Sequence, residues 1–209
     1  VWRRADVLKK TLHAMARATG IGDYTLVIHC DGGGNQNETR AVRHVCRDID
    51  FAETLIKFNR GNLGCNENTR RVLRRGFELS DYVIHVEEDI VIAPDALLYM
   101  EWAKQFRNRP EIWMVSMWRH PSGWLHESGT PFPLGQAIET KVCHSGGLLI
   151  WGWGTWRDRW ETMEKNWTTG DDKTLSWDTH LTAVRHKLGK FCICPLVSRA
   201  VNVGDGGIH

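Results

Sequence analysis

Apolar residues along this chain switch between helical and extended spacing. Helical spacing predicts five helices, at residues 6–18, 66–78, 94–106, 156–163 and 177–187. Short runs rich in β-branched and aromatic residues predict five strands, at residues 24–29, 82–86, 112–117, 147–150 and 191–194. Because helices and strands alternate, the pattern predicts an α/β fold with a mainly parallel sheet flanked by helices. The segment 118–146 has no clear period, and such long loops tend to be functional.

Two of the predicted strands end in carboxylates. One strand ends at Asp31, and another runs directly into three consecutive acids, residues 87–89, here called the acid triplet. Ligands in open α/β sheets bind beyond the carboxyl ends of the strands, so both groups of acids suit one pocket. Adjacent carboxylates repel one another unless a cation or hydrogen-bond donors compensate. Since Mg²⁺ and Mn²⁺ prefer oxygen ligands, the triplet indicates a divalent metal site, with a solvated loop end as the alternative.

Two further segments carry candidate chemistry. Asp178 opens the last predicted helix beside Trp177, where it serves either as a helix cap or as a catalytic carboxylate. In residues 145–160 glycines alternate with tryptophans. Gly152 lets the backbone approach a ligand closely, and the neighbouring Trp153 offers an indole face as a wall or stacking platform. Trp177 is a second candidate for that platform.

Composition and charge narrow the class of protein. The 209 residues are 42% hydrophobic and 25% charged, which is typical of a soluble globular protein of one domain. The net charge of +2 gives no field that would favour nucleic acid as a partner. No apolar run reaches the roughly 20 residues that a membrane span needs. The six cysteines lack zinc spacings and are interpreted as mostly buried thiols, with room for one disulfide in an oxidising compartment.

Several stretches together resemble the glycosyltransferases of the GT-A fold. They are HVEEDIVIAPDALLYM, IWMVSMW, IWGWGTWRDRW, WDTHL and the tail FCICPLVSRAVNVGDGGIH. The likeness is to N-acetylglucosaminyltransferase I and its relatives, and to bacterial family-2-type transferases with a similar Trp-Gly-Trp block. It covers roughly residues 24–209. It implies a Rossmann-like GT-A sheet in a single domain, 1–209, whose N-terminal part binds the nucleotide and whose C-terminal part carries the acceptor and catalytic groups.

The resemblance implies a role for each matching residue. Asp89 matches the metal-binding position, and His209 resembles a histidine near the metal and the diphosphate. Asp178 matches the catalytic base. Contacts to the nucleotide sugar are implied for Arg4, Asp31, Asn68, Glu87 and Glu88. The triplet is Glu-Glu-Asp, where the family has Glu-Asp-Asp.

These matches predict a metal-dependent inverting glycosyltransferase. It would move a hexosyl or N-acetylhexosaminyl group from a UDP-sugar to a hydroxyl acceptor, such as a glycan, by single displacement with Mn²⁺ or Mg²⁺ bound. Two alternatives stay open: a nucleotidyltransferase acting on a sugar phosphate, and a carbohydrate-binding module without catalysis. The Trp-Gly-Trp block favours a cytoplasmic protein, whereas the likeness to transferase I favours a secretory lumen if an anchor precedes this chain.

Overall fold

The computed structural model describes residues 1–119, 142–145, 147–168 and 176–204. Within them the helices are α1 (Ala5–Ala16), α2 (Gln36–Arg47), α3 (Gly64–Leu79), α4 (Ala96–Ala103), α5 (Arg157–Lys165) and α6 (Trp177–Lys187). Short 3-10 helices lie at Ile21–Asp23 and Lys104–Asn108. None of these helices has the length and the apolar character that crossing a bilayer requires.

The strands form one larger sheet and two separate pairs. In chain order they are β1 (Thr25–Cys30), β2 (Glu53–Phe58), β3 (Tyr82–His85), β4 (Ile90–Ile92), β5 (Ile112–Ser116), β6 (Val142–Ser145), β7 (Trp153–Trp156), β8 (Phe191–Pro195) and β9 (Ala200–Asn202). The larger sheet has the order β3-β7-β5-β8-β6, in which β3, β5 and β8 run one way and β7 and β6 run against them. The pair β1-β2 is parallel and the pair β4-β9 is antiparallel. The predicted mixed α/β fold is confirmed: β3, β5 and β8 give the larger sheet its majority direction, although β5 and β8 are its one pair of parallel neighbours in the part of the chain described.

Both faces of the five-stranded sheet are covered by apolar residues. On β8, Cys192 and Cys194 belong to one buried cluster and Ile193 belongs to another, as the alternation of side chains along a strand requires. The first cluster contains most of the buried tryptophans, and the second contains the apolar residues of β4 and α4. This arrangement fixes β3 and its following turn between two packed layers.

All five predicted helices form, with ends shifted by a few residues at most. The strand predicted at 147–150 is wrong. This segment belongs to the connection between β6 and β7. Its apolar residues pack without forming a strand, and Leu149 is only 9% exposed. The prediction also missed α2, although its buried residues Val42, Val45 and Cys46 have helical spacing.

The cysteines that the structure describes are free thiols, in agreement with the prediction for most of them. Cys30 on β1 and Cys46 on α2 are buried, and their sulfur atoms lie 3.5 Å apart. This thiol pair stabilises the packing of α2 on β1 through a weak S–H contact. Cys65 differs from them, because it has an exposed surface at the start of α3.

Candidate active site

The acid triplet lies in the turn between β3 and β4, next to the N-terminal segment of the chain. Asp89 is 8% exposed, and its Oδ2 accepts a hydrogen bond from Arg4 Nη2 at 2.9 Å. The same nitrogen of Arg4 donates to Glu88 Oε1 at 3.1 Å. Thr11 on α1 donates to the backbone oxygen of Glu88 at 2.7 Å. A guanidinium therefore offsets part of the repulsion between the acids, which the sequence did not indicate.

Arg4 was predicted to contact the nucleotide. In this structure its guanidinium forms ion pairs with two members of the triplet, and the Arg4 side chain is about a quarter exposed. Its other terminal nitrogen, Nη1, is buried and has no hydrogen-bond partner among the residues that the structure describes. The contact to a nucleotide stays a prediction, and that free nitrogen is the group with which Arg4 would make it.

The carboxyl group of Glu87 lies close enough to three other carboxylates for their negative charges to change its pKa. Burial, and then the negative charges of Asp89, Glu88 and Asp178, raise the pKa of Glu87 to about 8. Glu87 therefore keeps its proton at neutral pH in the absence of a bound cation. The influence of Asp178 also means that the fold has brought the predicted base close to the acid triplet, across a long separation in sequence.

Asp178 lies in the first turn of α6, where the positive end of the helix dipole favours a carboxylate. Ser176 occupies the N-cap position, so capping does not explain Asp178. The start of α6 is attached to the start of α3: the backbone N–H of Trp177 donates to Asn66 Oδ1 at 3.1 Å. The indole of Trp167 donates to the backbone oxygen of Asn66 at 2.9 Å. These bonds fix the half-buried Asp178 beside the triplet.

Asp31 follows β1 and is 5% exposed. Its carboxylate accepts hydrogen bonds from the backbone N–H of Leu63, at 2.9 and 3.0 Å, and of Gly64, at 3.0 Å. Asp31 thus caps the start of α3. Asn68, one turn further along α3, accepts a hydrogen bond from Asn59 Nδ2 at 3.0 Å. Both side chains stabilise the junction of β1 and α3 here, and their nucleotide contacts stay predictions.

Cys65 connects the two groups of acids. It follows Gly64, whose N–H binds Asp31, and it also lies close to the triplet. Although the residue as a whole has an exposed surface, its thiol is partly desolvated by the surrounding protein. This desolvation, and then the charges of Glu87 and Glu88, raise the pKa of the Cys65 thiol to about 11. Asp31 and the triplet therefore lie against the same first turn of α3, as a shared pocket needs. Sequence reasoning missed Cys65 because its neighbours come from distant segments.

A divalent ion fits this site only in a particular way. The part of the chain that the structure describes contains no group of three or more His, Cys, Asp or Glu side chains that could hold a metal. Asp89 nevertheless has a buried oxygen, Oδ1, that no described residue contacts through a hydrogen bond. One free carboxylate oxygen suits Mg²⁺ or Mn²⁺ that is held by one or two carboxylates and otherwise by water and substrate phosphates. His209, the other predicted ligand, lies outside the described residues.

The structure contradicts the predicted sugar platform at Trp153 and Trp177. Their exposed fractions are 0% and 2%, and their ring centroids lie 5.8 Å apart in the core. Trp177 also stacks on Trp167, with centroids 5.0 Å apart. The ring of His85 contacts both indoles, and its burial lowers the pKa of this histidine to about 4, so the imidazole is neutral. No face of either indole is open to a ligand, because apolar surface of this size is most stable when it is buried.

The glycines on either side of Trp153 have a packing role as well. Gly152 has φ of +73°, and a Cβ there would lie 2.9 Å from the sulfur of Met117. A Cβ at Gly154 would lie 2.6 Å from Met100 Cε and 2.7 Å from Tyr82 Oη. The close approach predicted for Gly152 is therefore to the protein core and not to a ligand.

Comparison with known proteins supports the fold. No family model matches the chain. Its structure is similar to that of PcManGT, a mannosyltransferase from Pyrobaculum calidifontis solved in complex with GDP-Man and Mn²⁺. The TM-score is 0.63 at 14% sequence identity, and the match covers 93% of this chain and 52% of that one. This chain shares the fold of a glycosyltransferase. It spans about half the length of PcManGT, and at this identity the likeness extends to the fold alone.

Proposed function

We propose that this chain is a metal-dependent glycosyltransferase that uses a nucleotide-sugar donor. The observation that carries the proposal is the convergence of four carboxylates, three from the β3–β4 turn and one from α6. Their proximity is reflected in the raised pKa of Glu87. A cluster of carboxylates whose pKa values are perturbed in this way is typical of a functional site, and a bound cation would stabilise its charged form. The fold shared with PcManGT agrees with this proposal.

The residues divide the work of the reaction between them. Asp89 Oδ1 would bind Mn²⁺ or Mg²⁺, which supplies Lewis-acid neutralisation of the diphosphate leaving group. Arg4 keeps Asp89 and Glu88 in place through its two hydrogen bonds. Asp178 takes the proton of the acceptor hydroxyl as the new bond forms. With Asp178 as a single base on the face opposite the diphosphate, direct displacement inverts the anomeric carbon and requires no nucleophile from the protein.

The segments around β1 to β4 thus supply the donor contacts, and α6 supplies the base. From the resemblance to N-acetylglucosaminyltransferase I we propose a UDP-sugar as donor, with a hexosyl or N-acetylhexosaminyl group transferred to a hydroxyl of a glycan. GDP-mannose is the donor bound to PcManGT and belongs in the same test. The buried state of Trp153 and Trp177 disfavours the alternative of a carbohydrate-binding module, which needs exposed aromatic faces.

A donor panel tests the proposal. UDP- and GDP-sugars are titrated with Mn²⁺ or Mg²⁺, and both nucleotide binding and nucleotide release are measured. Asp89→Asn should lose metal-dependent binding, whereas Asp178→Asn should bind the nucleotide normally and transfer at least about 100-fold more slowly. Asp81→Asn, at an 80% exposed side chain paired with Arg157, is the matched control and should behave like the wild type.

Each outcome has a separate meaning. Unchanged metal and nucleotide affinity in Asp89→Asn would remove this residue as the ligand, and normal transfer in Asp178→Asn would remove it as the base. Release of pyrophosphate from a nucleoside triphosphate would favour the nucleotidyltransferase instead. If the wild-type chain binds no nucleotide sugar with either metal, the proposed function is wrong.

A further inference from the structure

A cavity of about 490 Å³ opens beside α2. Four arginines line it, Arg40, Arg43, Arg47 and Arg60, together with Gly33 and Thr39. None of the residues of the candidate active site takes part in this lining. The residues assigned to the proposed transfer reaction therefore do not explain this cavity.

Three of the four arginines lie on one face of α2. Arg40, Arg43 and Arg47 follow one another at intervals of three and four residues, so their side chains are neighbours on the helix surface. At 1.5 Å per residue, Arg40 and Arg47 are about 10 Å apart along the helix axis. Arg60, which follows β2, comes from a different element. The fold brings all four guanidinium groups to one cavity.

Two of these side chains are held in fixed positions. Arg43 Nη2 donates to the backbone oxygen of Asn59 at 2.9 Å. The guanidinium carbon of Arg43 lies 5.2 Å from the ring centroid of Phe58, and that of Arg47 lies 4.9 Å from the same centroid. Cation–π contacts of this kind reduce the freedom of the side chains before any ligand arrives. The site is therefore partly preorganised.

The positive charges of this cavity have no counter-charge in the described part of the protein. Among the described residues, eleven of the eighteen arginines form an ion pair with a carboxylate: Arg3, Arg4, Arg70, Arg71, Arg74, Arg75, Arg107, Arg109, Arg157, Arg159 and Arg199. The four cavity arginines do not pair with any carboxylate of the described residues. In addition, Arg43 Nε is buried and has no hydrogen-bond partner within residues 1–119, 142–145, 147–168 and 176–204. Like charges three and four residues apart destabilise a helix, so an anion would relieve this cost.

We propose that this cavity binds a phosphate-bearing ligand, separately from the donor site. Guanidinium forks bind phosphate oxygens in pairs, and several of them suit a multiply charged phosphate better than a single carboxylate. The volume is large enough for a diphosphate or for a phosphate attached to an organic group. The phosphate belongs either to a free metabolite or to a lipid headgroup, since both present the same oxygens.

Pyrophosphate is the probe for this site. It is titrated calorimetrically in EDTA, so that no divalent cation can bring it to the acid triplet. The test variant is Arg40→Gln/Arg47→Gln, since both side chains are exposed and neither stabilises the backbone as Arg43 does. The matched control is Arg74→Gln/Arg75→Gln, on the surface of α3, where both arginines have carboxylate partners. We expect the test variant to bind at least tenfold more weakly than the wild type and the control to bind as the wild type does.

A charge-preserving variant separates a built site from general positive charge. Arg40→Lys/Arg47→Lys keeps the charge but loses the paired N–H donors, so its affinity should fall between those of the wild type and the glutamine variant. Vesicles identify the source of the phosphate. Flotation of the wild type with vesicles of phosphatidic acid and phosphatidylcholine, but not with phosphatidylcholine alone, supports a lipid headgroup. Pyrophosphate binding without flotation supports a free ligand.

Three results would overturn the proposal. The first is equal pyrophosphate affinity in the wild type and the glutamine variant, and the second is full affinity in the lysine variant. The third is complete loss of wild-type binding at 150 mM salt, about the physiological ionic strength, because such a loss would indicate diffuse charge attraction. Asp89→Asn should leave this binding unchanged. The inference can therefore fail while the proposed transferase activity stands, or hold while that activity fails.

Discussion

The substitution Glu87→Gln tests the carboxylate cluster without any ligand. In the folded protein the pKa of Glu87 is raised from its ordinary value of 4.5 to about 8. A carboxyl with a raised pKa binds its proton more tightly in the folded state than in the unfolded state. Its contribution to stability is therefore fully present below about pH 4.5 and is lost as the pH rises through 8.

The magnitude follows from the size of this change. Moving the pKa from 4.5 to about 8 corresponds to about 5 kcal/mol in total, at about 1.4 kcal/mol per pH unit. On the order of 4 kcal/mol of it falls between pH 5 and pH 9. The wild type should lose this amount of unfolding free energy over that range, beyond any loss in the glutamine variant, because glutamine has no proton to release.

Urea unfolding in EDTA at pH 5, 7 and 9 measures the effect. The difference in unfolding free energy between Glu87→Gln and the wild type should grow steadily with pH in favour of the variant. Glu161→Gln, at an exposed position on α5, gives the effect of removing a carboxyl outside the cluster. If the curves of Glu87→Gln and the wild type run parallel from pH 5 to pH 9, the four carboxylates do not interact as the structure indicates.

Three further predictions concern single positions. Gly204→Ala should weaken metal-dependent nucleotide binding about tenfold or more at nearly unchanged stability, because an added Cβ would overlap Asp89 Oδ2. Isothermal titration measures this affinity, and a wild-type value would contradict the prediction. Gly154→Ala should lower the unfolding free energy by about 1–3 kcal/mol through overlap with Tyr82 in the core, as urea titration would reveal. The rate of Cys65 alkylation by iodoacetamide should be low at pH 7 and rise about tenfold per pH unit up to pH 10, because the thiolate is the reactive form. The rate should decrease when nucleotide and Mn²⁺ are present. A rate that levels off near pH 8 would refute the raised pKa of about 11.

Arg4 reduces the electrostatic repulsion within the acid triplet. The sequence suggested that a metal ion and sugar hydroxyls separate them. In the structure a guanidinium already binds Glu88 and Asp89, while Glu87 keeps its proton. The triplet is therefore stable without a ligand, through one ion-pair partner and one neutral member. A bound cation would then add to an existing arrangement of charges and would not be required to create it.

Local periodicity was sufficient for the helices. Helical spacing of apolar residues depends only on neighbours within a few turns, so α6 begins and ends at the residues predicted for it. The strand prediction at 147–150 failed because a short apolar run has no period that separates a strand from a buried loop. Strand β7, which lies inside the larger sheet between β3 and β5, was missed, since its Gly154 is compatible with a strand only where Tyr82 and Met100 fill the space of a side chain.

The sequence by itself determined which residue types were available: three consecutive acids after a buried strand, an aspartate at the start of a helix, and an unusual number of tryptophans. Whether Asp178 lies near Glu87, and whether Trp153 is covered or exposed, were decided only by the tertiary structure. The physical reason is that pKa values and burial depend on neighbours in space, and most of those neighbours are far away along the chain. The basic cavity beside α2 has the same origin, because its fourth arginine, Arg60, joins the other three only when β2 packs beside that helix.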